Sequence, residues 1–431
     1  MCAMGNFWNQ DELAGVGRPR KAVTSMQLRN FGLSIGNLKH VEKLEELRSD
    51  PPNMIIAECK KTMKIRQNFS EEQTLKKGVN YVMSLGVYQQ IHVDPTLGMQ
   101  VLKPASIKFK SVYRPYIGQD LSDKTLIVFR TGGIGDLLFI KPNLQYLKEK
   151  YPTCYIQFSC APQYQSMIST WDCVDQIVDL PFPLSYLIHA DYHSVFEGVI
   201  ERCKEAESEN SYRLFSRWMG LSLPDDLLIP KQEINEDILQ IVKDVVENKM
   251  NIKDKFLEFQ IRASSPIRTP NLIFWRQLID ELTDRGHNIV ITDSKRTENK
   301  VEKFIIDLKN KDKVFNFAKY SETIDYTICL TKLASMVVAT DSALNHIAAS
   351  VGTKSYGIYG PFPGRIRLET YGKLSRWVDA QMHCAPCYLH TYKPCPQASM
   401  DGFSPCYNTI DIKKTCNEIE DFLNDKDIPN S

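Results

Sequence analysis

Residues 125–152, TLIVFRTGGIGDLLFIKPNLQYLKEKYP, constrain the fold more than any other stretch of the chain. Leu126, Ile127, Val128 and Phe129 form an unbroken apolar run, the pattern of a buried strand. Gly132, Gly133 and Gly135 permit a tight turn. Beyond it Leu137, Leu138, Ile140, Leu144 and Leu147 recur at helical spacing. The turn ends in a carboxylate, Asp136. A strand-to-helix turn at the carboxyl edge of a parallel sheet is where such folds place ligands. The plainer alternative is that the glycines serve only a sharp turn and Asp136 only caps the helix.

A second element of the same design argues against that alternative. In residues 333–360, LASMVVATDSALNHIAASVGTKSYGIYG, a strand over 336–340 runs into Asp341, Ser342 and a helix carrying His346. Two strand, polar turn and helix units, each followed by further alternating strands and helices, predict an α/β chain with two Rossmann-like domains facing a cleft. Asp341 or Ser342 is the expected N-cap, with the backbone N–H groups of Ala343 and Leu344 open to an anion. A diphosphate suits them, because the helix dipole and free amides both favour negative charge there. The competing reading of His346 is a satisfied histidine packed under the sheet.

The pair GGIGD with LLFIKPNLQYLKEKYP, and TDSALNHIAASVGTKSYGIYGP after it, resembles glycosyltransferase family nine, the heptosyltransferase-like enzymes of the GT-B fold. The resemblance spans roughly residues 121–425. It implies inverting transfer of a sugar, heptose-like, from a nucleotide diphosphate donor, an ADP-sugar being favoured. Asp136 would be the base. Gly133, Gly135, Asp341, Ser342, Ala343, Leu344 and His346 would form the donor site. In relatives the loop after the first strand of the second domain supplies a basic residue to the phosphates. Arg268 is the best match and Arg262 the second, although both also read as ordinary surface arginines. One departure concerns Ala343, where such enzymes often have glycine: its methyl group narrows the approach of the diphosphate.

Composition agrees. With 431 residues, 43% hydrophobic and 24% charged, the chain can bury two cores and carry an extra segment. Its 53 basic and 52 acidic residues balance, so no global field draws it to nucleic acid or anionic lipid. No run of about 18 apolar residues predicts a membrane span, and the first residues lack a signal-peptide pattern, so a cytoplasmic location is expected. Many of the twelve cysteines, among them Cys154, Cys160 and Cys329, lie in apolar segments and read as reduced core thiols.

Four others differ. Cys384, Cys387, Cys395 and Cys406 form C-x2-C-x7-C-x10-C within a stretch containing Pro386, Pro394, Pro396 and Pro405. Short prolyl loops cannot build a core, but four thiolates around one zinc or mononuclear iron ion can fix them. The alternative is four unrelated reduced cysteines. His383 and His390 are spare candidates, and Cys416 reads as packing on the last helix. Four protein ligands leave no open position, so the metal would be structural. The family resemblance agrees, since the autotransporter heptosyltransferase branch is similar in carrying a C-terminal cysteine finger that holds iron.

The expected domains are an N-terminal extension over 1–120, an acceptor-side Rossmann-like domain over 121–235 and a nucleotide-sugar domain over 236–431, including the metal finger 384–406. Within the extension, GRPRK (17–21) reads as a minor-groove hook or, more commonly, a solvated tail. Residues 38–66 have helical spacing around Leu44, Leu47 and Ile55, interrupted by Pro51 and Pro52, and residues 88–116, with SIKFKSVYRPY at their end, alternate as an edge strand or extended arm. Further strands are expected at 155–158, 176–180, 191–197, 256–261, 288–292 and 314–317, with 354–359 closing the sheet. No D-x-D pair occurs in the cleft elements, which favours metal-independent chemistry. Protein or glycan hydroxyls are the expected acceptors, and the extension and finger could mediate homo-oligomers. A nicotinamide-type oxidoreductase is disfavoured, because GGIGDLL lacks the third glycine of a G-x-G-x-x-G fingerprint and YIQFSCAP lacks a ribose-binding acid. A non-catalytic assembly protein that keeps the fold is the other alternative.

Overall fold

The computed structural model describes residues 41–48, 53–65, 72–94, 99–389, 393–398 and 402–425; GRPRK and His390 lie outside the described residues. The chain divides into two compact units at Leu228/Ile229.

In the first unit, strands β1 (Met54–Cys59), β2 (Asn80–Ser84), β3 (Leu102–Pro104), β4 (Thr125–Phe129), β5 (Tyr155–Ser159), β6 (Gln176–Val178), β7 (Phe182–Pro183) and β8 (Tyr192–Val195) build two sheets. The parallel sheet has the order β6-β5-β4-β8. Its central strand β4 is buried along Leu126, Ile127, Val128 and Phe129, as an unbroken apolar run requires. The antiparallel sheet has the order β7-β2-β1-β3. Both sheets contribute to one apolar core, in which Ile56, Val82 and Phe182 join Ile127, Phe129 and Val195. Helix α1 (Ile134–Lys150) follows β4, and α2 (Ser211–Trp218) packs on it through Phe139, Tyr212 and Phe215.

Two local expectations change here. The helix around Leu44 and Leu47 stops at Arg48, and Ile55 belongs to strand β1. The 88–116 segment does supply an edge strand, β3 (Leu102–Pro104), but within SIKFKSVYRPY (106–116) it forms the helical turn Phe109–Val112, where Phe109 and Tyr113, four residues apart, pack their rings at 5.3 Å.

The second unit opens with α3 (Glu236–Asp244). It contains a six-stranded parallel sheet of β9 (Phe256–Gln260), β10 (Asn288–Ile291), β11 (Val314–Asn316), β12 (Met336–Thr340), β13 (Ser355–Tyr359) and β14 (Ser375–Asp379), ordered β11-β10-β9-β12-β13-β14. The sheet therefore does not close at Tyr359. Strand β14, SRWVD, pairs outside β13 from Ser355↔Ser375 to Tyr359↔Asp379. As an edge strand it is only partly covered and needs no apolar run. Helices α4 (Leu272–Asp284) and α6 (Ile412–Asn424) share a core with one face of this sheet, and α5 (Ala343–Ser350) follows β12. Cys416 is fully buried on α6, as its place on an amphipathic helix predicts. No helix among the described residues is long and apolar enough to cross a membrane.

Both parallel sheets have the doubly wound order in which the first strand lies between the second and the fourth. The crevice at which such a sheet reverses direction lies beyond the carboxyl ends of its first and fourth strands. Those strands are β4 and β8 in one unit and β9 and β12 in the other.

Candidate functional site

At the β4/β8 switch point Gly133 caps α1 with φ +90°, a left-handed conformation that disfavours any side chain. Gly135 is the second residue of α1 and Asp136 the third. The carboxylate folds back over the turn so closely that a Cβ on Gly133 would lie 2.6 Å from Asp136 Oδ2. Its side chain remains 20% exposed, enough for a substrate to reach. Gly133→Ala is therefore expected to cost at least about 1 kcal/mol from backbone strain alone and to displace the carboxylate. A urea-denaturation midpoint equal to wild type would refute this.

Arg130, the residue after β4, holds the carboxylate. Its guanidinium is buried and all three nitrogens are engaged. Nε donates to the Gly132 carbonyl at 2.9 Å, and Nη1 to the Phe196 carbonyl at 3.0 Å. Nη2 donates both to Asp136 Oδ2 and, at 2.8 Å, to Glu201 Oε1. Glu197 accepts from the Thr131 amide beside it. Burial opposes the Arg130 charge, but the Asp136, Glu201 and Glu197 carboxylates outweigh it and hold the guanidinium protonated. Thus one side of the switch point supplies Arg130 and Asp136, and the other supplies Glu197 and Glu201. Sequence reasoning missed Arg130, Glu197 and Glu201. The only available signal was an arginine ending an apolar strand.

At the β9/β12 switch point, Arg268 ends the short turn Pro266–Arg268 and approaches Asp341: Nη1 lies 3.6 Å from Oδ2 and donates to the Asp341 carbonyl at 3.3 Å. Nη2 donates to Ser264 Oγ at 2.6 Å, and the Thr340 hydroxyl donates to the Arg268 carbonyl. Arg262 is engaged elsewhere, 2.9 Å from Asp293. Of the two arginines singled out from the sequence, Arg268 is the one brought to Asp341.

Ser342 is the N-cap of α5, but its side chain makes no capping bond. Its Oγ is buried with no hydrogen-bond partner among the described residues. Ala343 is partly exposed at the first helical position and Leu344 is buried. The amides of this first turn have no partners within the helix.

His346 is buried, and its Nδ1 lies 2.6 Å from the Tyr371 hydroxyl. Burial drives its pKa down to about 3, with Asp341 opposing and the Arg367 and Arg268 charges adding to the effect. The imidazole is therefore neutral near pH 7. It can donate or accept a hydrogen bond but brings no positive charge. Arg367, absent from the sequence reading, is buried against the Phe362 ring at 4.8 Å. Two arginines, Arg367 and Arg268, thus act on His346 through their charge.

The four clustered cysteines line one small cavity of about 10 Å³ with Ile267 and Gly360. A Cβ on Gly360 would lie 3.1 Å from Cys406 Sγ, so the backbone must be bare there. None of the four is in a disulfide. Among the described residues no three His, Cys, Asp or Glu side chains converge closely enough to hold an ion together. Four sulfur donors around one cavity nevertheless match zinc or iron in number and softness. His383 is exposed outside this cavity.

Residues 209–395 match the model of glycosyltransferase family 9 (heptosyltransferase). The match includes Arg268, Asp341, His346 and three of the clustered cysteines; the Asp136 turn precedes it and Cys406 follows it. No curated protein matches the chain. Among solved structures, the fold is similar to that of E. coli ADP-heptose lps heptosyltransferase II, at 15% identity, covering 70% of this chain and 98% of that one with a TM-score of 0.52. It is also similar to the glycosyl transferase family 9 protein from Veillonella parvula DSM 2008, at 13% identity, with 71% and 98% covered and a TM-score of 0.55. The iron-containing dodecameric glycosyltransferase TibC from enterotoxigenic E. coli H10407 is 12% identical, with 90% and 98% covered and a TM-score of 0.48.

Proposed function

Because residues 209–395 match the model of glycosyltransferase family 9, we propose that the chain is an inverting glycosyltransferase that moves a sugar from an ADP-linked donor, heptose-like, to a hydroxyl of a protein or glycan acceptor. The observation that carries this reading is the β9/β12 switch point, where Arg268 reaches the N-terminal turn of α5. A diphosphate there would accept from the turn's amides and the Ser342 hydroxyl and draw Arg268 from Asp341. The heptosyltransferase with TM-score 0.52 is one named for ADP-heptose, which supports the choice of donor class.

Asp136 is the proposed base. It accepts the proton of the acceptor hydroxyl as that oxygen attacks the anomeric carbon. The bond from that carbon to the diphosphate breaks, and its electron pair leaves on the phosphate oxygen. Arg268 and the helix amides stabilise the departing charge, while His346, neutral and hydrogen-bonded to Tyr371, keeps the α5 turn in place. Thermal shift and nucleoside diphosphate release against ADP-, UDP-, GDP- and CDP-sugars test the reading. Selective stabilisation and ADP release with ADP-heptose is the expected result. Indifference to every donor overturns it.

Cys384, Cys387, Cys395 and Cys406 would hold one structural zinc or iron ion, which when bound cross-links the prolyl loop. Their own contribution is to gather four sulfurs at one cavity beside Gly360. Cys387→Ser is expected to lose the metal and to melt about 4 °C or more below wild type. Elemental analysis showing unchanged metal content would remove the site.

A further inference from the structure

One nitrogen of Arg130, Nη2, serves two carboxylates, one from each side of the β4/β8 switch point. We propose that Arg130 and Glu201 are positioning residues that together aim the Asp136 carboxylate and set its proton affinity. The proposal rests on the reading of Asp136 as the base.

The aiming follows from the geometry. Nε and Nη1 bind the Gly132 and Phe196 carbonyls, so the guanidinium plane is fixed by backbone on both sides of the crevice before it meets Asp136. A planar fork can do this, whereas the ammonium of a lysine, a single point charge, cannot make all of these bonds at once.

The tuning follows from the charge count. A buried guanidinium facing Asp136 alone would favour the ionised carboxylate strongly, by about 1–3 pH units, and leave a weak base. Glu201 shares the same nitrogen, and Glu197 lies close enough to contribute to its field. Three carboxylates about one cation leave an excess of negative charge, which pushes proton affinity back up. Among the cations on the neighbouring elements, Arg202 offsets part of that excess through Glu201. Arg202, next to Glu201, is buried and feels its field. Tyr164 places its ring against Gly132. On α1, Lys141 lies over Trp171 at 5.3 Å, and on α2 Arg213 is paired with Asp225.

The test is direct titration of the Asp136 carboxyl carbon in full-length protein labelled with ¹³C at aspartate, its signal identified by comparison with Asp136→Asn. Glu201→Gln removes one of the carboxylates that share the Arg130 charge and should lower the titration midpoint by about one pH unit. Glu201 is 38% exposed at its side chain, so this variant is expected to fold. Arg130→Met should raise the midpoint by at least about one pH unit. Arg130→Lys should stay nearer wild type in midpoint while releasing ADP from ADP-heptose several-fold more slowly, because the charge remains and the fork is lost. The acidic limb of ADP release against pH should follow the carboxyl midpoint in each variant. A midpoint unmoved in Glu201→Gln, or an activity profile that does not follow it, overturns the proposal. Wild-type ADP release by Asp136→Asn instead sinks the base reading, whatever the titration shows.

Discussion

Asp136→Asn is expected to bind the nucleotide-sugar donor as wild type does and to transfer the sugar at least about 10²-fold more slowly, the usual contribution of a positioned general base. The amide keeps the size of the carboxylate and its place in the first turn of α1, so the helix entry at Gly133 need not rearrange. What it loses is the ability to accept a proton at neutral pH. Arg130 is not left with an unpaired charge, because Glu201 still binds Nη2 at 2.8 Å and two carbonyls hold the other nitrogens. Folding should survive, which makes the rate loss interpretable as chemistry. The proposed donor residues Arg268, Asp341 and Ser342 are untouched, and the uncharged isostere leaves the Gly133 and Gly135 backbone in place, so donor affinity should change little. Isothermal titration with donor, and incorporation of labelled sugar, separate the two quantities. Full transfer by the variant would end the assignment.

Glu258→Gln is expected to stabilise the protein increasingly as pH rises. Glu258 lies in the middle of β9, between two parallel neighbours, and is fully buried. Burial pushes its carboxyl up to about 8 from an ordinary 4.5. Neither Glu258 carboxyl oxygen has a hydrogen-bond partner among the described residues, and the Thr331 hydroxyl spends its proton on the Thr327 carbonyl at 2.8 Å. Because the folded pKa is the higher one, the native state retains a proton that the unfolded chain releases. Stability is therefore full below about pH 4.5 and falls as pH rises towards 8. The linkage amounts to about 3 kcal/mol lost by pH 7 and about 4 by pH 8. Glutamine does not titrate, so the gap between the variant and wild type in denaturant midpoint should widen across pH 5 to 8. A constant gap would mean that Glu258 is not protonated in the folded protein.

The strand, turn and helix units at β4 and β12 were legible because everything that makes them lies within about 20 residues: an unbroken apolar run, glycines or small polar residues, and apolar positions at helical spacing. The same local grammar was half right over 88–116, where alternation does accompany the edge strand Leu102–Pro104 but Phe109 and Tyr113 further on pack on one side of a helical turn. Strand β14 was missed because an edge strand with SRWVD carries no apolar run. The cysteine spacing marked four residues that do line one cavity, although spacing alone could not place their sulfurs.

Near the proposed chemistry, sequence alone determined which local units exist, that each presents a polar turn at a strand end, and that Asp136 and Asp341 stand at those turns. Only the tertiary structure decided what surrounds them. Arg130 meets Glu201 across 71 residues of chain. Arg268 reaches Asp341 across 73, while Arg262 turns to Asp293. These pairings depend on strand order, which long-range hydrogen bonding sets. The protonation of Glu258 and the neutrality of His346 depend on desolvation. Desolvation is a property of the packed surroundings, and no short window of sequence contains it.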